Sequence, residues 1–558
     1  MRFAIRSFLV ACIFGFAVPC LAFSDGQAKA GGSLRTIDGI SVVTLSGSAK
    51  DIGTQHVKLI GDRIPQSEAA FKKLMPEMPG GAVGRWLIKQ FVMIQVRRIE
   101  KYLNPDEIEE LKAMAAQAPG GSGDYRDILY YHVLQDIGQN YACTGAAAAG
   151  SESRMAGPLA GRNFDLDNRS QLEPVKTVFF YRPDKKFAFA SVAWPGMAGA
   201  VSGMNERGLA LMVFSAKSEN TRLTGVPVAF LARRVLEEAG DIGTAVEIIK
   251  KTRRMGPYIF LLADKKRVAA VEMDSKKVAV KETGNGCLPV ANHYMTEALA
   301  GDPKNEWQAK YSDSRQRYER MSRLLATTGK IGVGEMLTLL RDKKGPDGGE
   351  LAWGDTSAVN NIKDAHSVIF DPAGLRFWVS TPPYAYGRFV GFKITGSGLE
   401  EIDPLAADSY PDSERGRDEI SSDLLTAQAE TDMKSSKKKA AACAEKALCI
   451  DKDNYIAALF LGDLDAKAGD FEGALKYYDA AVNAAPAGTI SKARALAKRG
   501  DTLFELGEFD QAKKDYEESL AMDCCEEAND ESKKGLHMVA RRTGEPDHIL
   551  AGAHGGGF

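Results

Sequence analysis

The sequence predicts two folded units in series, a mixed α+β domain followed by an all-helical domain. Three observations predict this. From about Gly31 to Pro404, apolar runs rich in Val, Phe, Tyr and Ile and bounded by Gly, Pro, Asp and Asn alternate with segments of helical period. After Asp423 the strand pattern stops and only helical periodicity remains. Within that last stretch Gly462, Gly469, Phe471, Ala474 and Tyr478 recur in register as Gly500, Gly507, Phe509, Ala512 and Tyr516. A chain of 558 residues is also too long for one core.

Taken in order, the chain opens with Arg2 and Arg6, then the apolar stretch FLVACIFGFAVPCLA ending in small Ala22. This reads as a secretory signal peptide over residues 1–22, so the mature protein is expected to be periplasmic or secreted. Ile52 to Asn140 reads mostly as helix. Strand-like runs follow, among them KTVFFYRP, FAFASVAWPG, LALMVFS, YIFLLAD, VAAVEMD, SVIFDP and RFWVS. Helical period returns in PVAFLARRVLEEAGDIGTAVEIIKKT and SRQRYERMSRLLATTG. Polar residues and two prolines between Pro404 and Asp423 suggest a linker, placed at 407–420. The repeats occupy 421–543, with Glu526 to Thr543 as a capping helix, and 544–558 reads as a disordered tail.

Composition excludes several functions. Apolar residues make up 44% and charged residues 26%, with a net charge of -2, so no basic face for nucleic acid is expected. No segment after the leader is apolar enough to span a bilayer. Of eight cysteines, Cys12 and Cys20 leave with the leader, and Cys143, Cys287, Cys443, Cys449, Cys524 and Cys525 remain. No paired His/Cys spacing suggests zinc, and neither a metal nor any other cofactor is expected.

Cys143 stands in YACTGAAAAG, where small neighbours allow backbone or substrate to come close. About twenty residues on, GRNFDLD carries Arg162 and Asp165. Alone, these read as a buried or disulfide-bonded cysteine, with Cys287 the obvious partner, and a routine ion pair. Together with later elements they form an ordered set: C-T, G-R-N-x-D, G-M-N-E-x-G-L, N-H-Y and R-Y-x-R. That order resembles the cysteine N-terminal-nucleophile hydrolases, and most nearly the self-processing acyl-coenzyme A:6-aminopenicillanate acyltransferase family, peptidase family C45. The resemblance covers roughly Gly31 to Pro404.

It implies a four-layer αββα sandwich and self-cleavage between Ala142 and Cys143. The products would be an α chain, 23–142, and a chain that begins with the hydrolase core, 143–406. Before cleavage Cys143 has an amide nitrogen, which is no base. Afterwards its α-amine, with an ordinary pKa of about 7.7–8.0, can take the thiol proton. By position Asp165 orients that amine, Arg162 lies by the thiol, and Asn292 donates to the oxyanion. Arg317 best matches the arginine of R-Y-x-R, with Arg315 and Arg320 close in register. A second oxyanion donor falls near Ser215 or a backbone N–H. Asn205 and Gly208 read as turn residues, with Asn205 also a pocket candidate. His293 reads as structural or in contact with substrate, and His56 and His132 as core residues.

The C-terminal part resembles a tetratricopeptide array, which implies a groove for a peptide or protein partner. The leading expectation is an exported hydrolase of a linear amide, acting on a small N-acyl substrate through a Cys143 thioester. Acyl transfer by the same nucleophile and a non-catalytic peptide-binding protein are the alternatives.

Overall fold

The computed structural model describes residues 31–73, 81–117, 123–138, 141–166 and 172–544. The leader at 1–22 and the tail from 545 lie outside them. The strands among the described residues form two sheets. The nine-stranded sheet runs Ser33–Ile37, Ile40–Gly47, Thr177–Pro183, Phe189–Ala193, Ser202–Asn205, Ala210–Ser215, Tyr258–Ala263, Val268–Met273 and Val278–Thr283. Its neighbours are antiparallel except Ile40–Gly47 and Thr177–Pro183, which run parallel. The seven-stranded sheet runs Gly286–Val290, Tyr141–Ala149, Leu159–Leu166, Asp364–Asp371, Arg376–Ser380, Phe389–Ile394 and Leu399–Leu405, antiparallel throughout.

Strands Leu159–Leu166, Ala210–Ser215 and Tyr258–Ala263 are buried at every position, so both of their faces are covered. Glycines mark where the covering elements come closest. A Cβ on Gly203 would meet Leu236 of helix Val228–Glu238 at 2.8 Å. One on Gly145 would meet the Phe214 ring of the other sheet at 2.6 Å, which explains the glycine two residues after Cys143. One on Gly161 would meet Met336 of helix Val333–Leu340 at 2.9 Å.

The segment before Cys143 is woven into the domain. Its first two strands belong to the nine-stranded sheet, and its helices are Ala49–Ile60, Ile64–Lys73, Gly81–Ile99, Pro105–Gln117 and Tyr125–Gly138. Two buried ion pairs tie helix Pro105–Gln117 to helix Val228–Glu238: Arg233 to Glu110 and Arg234 to Glu107, each at 2.6 Å. Burial raises the Glu110 carboxyl even beside Arg233. Removing one partner of such a pair strands a buried charge at a cost of about 3–5 kcal/mol.

The C-terminal domain is helical: Glu414–Asp432, Lys437–Ile450, Tyr455–Ala468, Phe471–Ala484, Ile490–Glu505, Phe509–Met522 and Glu526–Thr543. Its sequence repeat has a steric cause. A Cβ on Gly462 would meet the Tyr478 ring at 2.6 Å, and one on Gly500 the Tyr516 ring at 2.7 Å. Each glycine admits the tyrosine of the following helix, whose hydroxyl then donates to the residue after that glycine. Tyr478 reaches Asp463 and Tyr516 reaches Asp501, both at 2.7 Å.

The stretch expected as a linker is shorter than 407–420. Helix Glu414–Asp432 starts inside it, because Ser413 caps the helix by accepting from Gly416 N–H at 2.9 Å. The new helix docks at once: Tyr384 Oη donates to Asp423 Oδ2 at 2.7 Å. Among the described residues no helix is long and apolar enough to cross a membrane.

Candidate active site

Strand Tyr141–Ala149 lies between Gly286–Val290 and Leu159–Leu166. Cys143 is opposite Phe164 and Ala142 opposite Asp165. Side chains alternate across the pleat. Cys143, Arg162 and Phe164 therefore share one face, and Ala142, Asn163 and Asp165 the other. On the first face Arg162 Nη2 donates to Cys143 Sγ. The guanidinium is held between the rings of Phe164 and Phe214, 4.5 and 4.8 Å away, and Nη1 donates to Val201 O and Ser202 Oγ.

Cys143 is fully buried. Burial pushes its thiol up to about 11, and the opposing pull of Arg162 does not overcome that. Arg162 pulls toward thiolate, but burial keeps the thiol protonated. Desolvation outweighs one buried cation here. Cys143 and Cys287 are both free, which removes the disulfide reading.

The backbone of Cys143 is gripped from the other side. Its N–H donates to Asn292 Oδ1 at 2.7 Å, and Arg317 Nη1 donates to its carbonyl. Arg317 also donates to Thr144 Oγ1 at 2.8 Å and, through Nη2, to Asn292 Oδ1 at 3.0 Å. With two donors on Oδ1, the Asn292 amide has one sensible orientation. Its Nδ2 then donates to Ser215 O and Oγ, both at 3.0 Å. Ser215 Oγ in turn donates to the carbonyl of Tyr141 at 2.5 Å. Ser215, expected near the oxyanion, is engaged here by Tyr141, two residues before Cys143. Of the three candidate arginines only Arg317 enters the site; Arg315 is exposed and Arg320 pairs with Asp342 at 2.7 Å.

Asp165 is buried, and burial raises its carboxyl. Oδ2 accepts from Asn361 Nδ2 at 3.3 Å, and Oδ1 has no hydrogen-bond partner. Asp364, opposite Asp165 on the next strand, is raised well above the usual range by its own burial and then by Asp165. Asn361 and Asp364 were not legible in the sequence, since AVNNIKDAH carries no spacing that marks them. Thr144 and Tyr141 were missed for another reason: Thr144 contributes a side-chain oxygen to Arg317, whereas Tyr141 enters through a backbone carbonyl that any residue has.

Two candidates stand apart from Cys143. Asn205 closes a turn, accepting from Arg207 and Leu209 N–H and donating to Leu236 and Ala239 carbonyls. That leaves it no free polar atom for a pocket, which corrects the pocket assignment. His293 bonds Ser314 Oγ at 2.7 Å and packs edge-on to Tyr318.

His56 and His132 anchor the loop after Trp194. Their Nε2 atoms accept from Gly196 and Ala198 N–H at 3.0 and 3.1 Å. Beside that loop an apolar cavity opens, walled by Val57, Ile64, Phe71, Met114, Ile128 and Met197. Phe71 meets Trp194, Trp194 meets Phe164, and Phe164 stacks on Tyr141. Aromatic rings thus lead from the cavity to Tyr141, two residues before Cys143.

Burial holds His56 down to about 3 and His132 to about 4, so both are neutral. The unfolded chain takes up these protons near pH 6.5 and the folded chain does not. Their contribution is therefore full above pH 6.5 and is lost as pH falls toward 4. By pH 5 the loss is about 2 kcal/mol for each ring. Urea unfolding from pH 7.5 to 5 should show this slope, and His56→Gln with His132→Gln should flatten it. Among the described residues no cluster of three or more His, Cys, Asp or Glu is placed to hold a metal ion.

Residues 153–382 match the family described as acyl-coenzyme A:6-aminopenicillanic acid acyl-transferase. Arg162, Asp165, Asn292 and Arg317 all fall inside that span, and Cys143 lies just before it. An uncharacterized protein of Archaeoglobus fulgidus is 24% identical over 403 residues, 62% of this chain and 65% of that protein. The chain thus spans just under two thirds of that relative. Among solved structures, a Caenorhabditis elegans ortholog of N-acylethanolamine-hydrolyzing acid amidase is similar at 16% identity, over 41% of this chain and 93% of that one, with a TM-score of 0.31. The tetratricopeptide domain of Sgt2 from Aspergillus fumigatus is similar at 21% identity, over 25% of this chain and 86% of that one, with a TM-score of 0.20.

Proposed function

We propose that this protein is an exported, self-processing hydrolase of linear N-acyl amides, with Cys143 as an N-terminal nucleophile. The observation that carries the reading is the grip on Cys143, whose thiol, N–H and carbonyl are bonded by Arg162, Asn292 and Arg317 respectively. A structural cysteine needs no guanidinium on its sulfur, and its backbone groups would be met by neighbouring strands rather than by two polar side chains. The matched family span, which supplies all three, supports the same reading. The packing of helix on sheet, sheet on sheet and sheet on helix at Gly203, Gly145 and Gly161 supports a four-layer αββα order.

In the first reaction the Cys143 thiol attacks the Ala142 carbonyl carbon. The C–N bond breaks, and the thiol proton ends on the departing nitrogen. Water then hydrolyses the Ala142 thioester, giving an Ala142 carboxylate, a free α-amine and a restored thiol. In turnover the α-amine takes the thiol proton, and the thiolate adds to the substrate amide carbonyl. Once the Tyr141 segment has left and Ser215 Oγ is released from its carbonyl, Asn292 Nδ2 exchanges its bond to that hydroxyl for the resulting oxyanion. The proton passes from the ammonium to the leaving amine, and water releases the acid from Cys143. Asp165 holds the ammonium form, which its open Oδ1 is suited to do. The cavity walled by Phe71, Met114 and Ile128 takes an apolar acyl group. Acyl transfer needs only an amine in place of water, and the name of the matched family favours keeping that second reading.

The test is intact mass and N-terminal sequencing of protein purified from the periplasm, followed by gel filtration. Two fragments are expected, one starting Cys-Thr-Gly. They should elute together, because the first contributes two strands and the Glu107 and Glu110 ion pairs to a shared fold. A single uncut chain that hydrolyses no N-acyl amide would overturn the proposal.

A further inference from the structure

Helix Gly81–Ile99 is apolar on both sides, yet only one side is buried. Val92, Gln95, Val96 and Ile99 face the core. On the opposite face Val83, Trp86, Leu87, Phe91 and Ile94 are each between 48% and 67% exposed. These positions follow one another at three and four residues, so they form one continuous stripe. Ile137, at the end of neighbouring helix Tyr125–Gly138, is exposed as well. A stripe of this size on a water-facing helix is unfavourable unless something covers it.

The charge pattern selects the cover. The helix reads GAVGRWLIKQFVMIQVRRI, with four Lys or Arg and no Asp or Glu. Lys89 is tied to Asp127 at 3.3 Å, while Arg97 and Arg98 stand exposed where the apolar stripe ends. Tryptophan and other large apolar residues on one face, with cations and no anions on the same helix, is the composition of helices that lie in a bilayer interface. A second copy of the chain would bring no anion from this helix to meet those arginines. We infer that helix Gly81–Ile99 docks on an anionic lipid surface, lying flat with Trp86, Leu87 and Phe91 in the headgroup boundary and Arg97 and Arg98 on lipid phosphates. The inference stands on the helix alone and holds whether or not Cys143 is a nucleophile.

Cosedimentation of the full chain with vesicles tests it. Binding is expected to vesicles of phosphatidylcholine with phosphatidylglycerol, and to weaken as salt is raised. Vesicles of phosphatidylcholine alone should bind severalfold less. Trp86→Ser with Leu87→Ser and Phe91→Ser should reduce partitioning by about tenfold or more, with far-ultraviolet circular dichroism unchanged. Arg97→Gln with Arg98→Gln leaves the stripe intact and should remove the preference for anionic lipid. No binding to either vesicle overturns the inference, as does binding that the triple variant retains. So does a concentration-dependent dimer, seen by analytical ultracentrifugation, that the triple variant dissolves.

Discussion

Cys143→Ala is expected to leave one uncut chain with no amide hydrolysis. Both reactions assigned to this residue begin with its sulfur, so both stop together. Loss of a catalytic nucleophile typically costs on the order of 10⁶ in rate, which puts the variant below detection in an acid-release assay. The fold itself should survive. The thiol is fully buried, and its polar partners are Arg162 Nη2 and, at 3.9 Å, the Val213 carbonyl. Removing one sulfur from a close-packed site costs about 1 kcal/mol and leaving buried Arg162 Nη2 without its acceptor about 1–3 kcal/mol more, so the melting temperature should fall by several degrees with the chain still folded. Gel electrophoresis, intact mass and a melting curve on the same preparation separate a lost reaction from a lost fold. Cys143→Ser is the informative companion. A hydroxyl can attack the Ala142 carbonyl as the thiol does, but it is a weaker nucleophile. Slow, incomplete cutting is expected. An alanine variant that is cut at the same bond would remove Cys143 from the reaction altogether.

Of the residues named for this chemistry in the sequence, Arg162, Asn292, Arg317 and Ser215 bond the strand that carries Cys143, whereas Asp165 bonds Asn361, Asn205 closes a turn and His293 bonds Ser314. They were legible because each lies in a short run with an unusual neighbour, such as GRNFD or VANHY. The repeats were legible for a similar reason. A glycine that must admit a tyrosine ring cannot vary independently of it, so Gly462 with Tyr478 and Gly500 with Tyr516 leave a periodic trace. What was not legible depends on long-range contact. Asn361 reaches Asp165 across 196 residues. The Tyr141 carbonyl is a backbone atom that no sequence advertises. The high thiol pKa arises from complete burial, and no local pattern around Cys143 reports how many elements close over it. Helix Glu414–Asp432 began earlier than the polar composition of its first turn suggested, because a cap and a docking contact, Ser413 and Tyr384 on Asp423, outweigh low hydrophobicity there.

Asn292 offers the sharpest division between holding the site together and doing its chemistry, because its two amide atoms have different jobs. Oδ1 accepts from Cys143 N–H and Arg317 Nη2, and Nδ2 donates to Ser215. Asn292→Ala removes both, leaving Arg317 with an unmet donor in a buried site at about 1–3 kcal/mol. Both self-cleavage and turnover should suffer, and the loss cannot be apportioned. Asn292→Asp keeps an acceptor for Cys143 and Arg317 and replaces the donor with a second acceptor that faces the Ser215 carbonyl. If Nδ2 serves the oxyanion, cut enzyme carrying Asn292→Asp should lose about 10²–10³ in kcat with little change in KM. Ser215→Ala completes the comparison. Its hydroxyl grips the Tyr141 carbonyl before the cut, so it should slow processing and affect turnover by the mature chain much less. If Asn292→Asp instead raised KM at constant kcat, Nδ2 would be binding substrate and transition state alike, and the oxyanion would have to be met by backbone N–H groups alone.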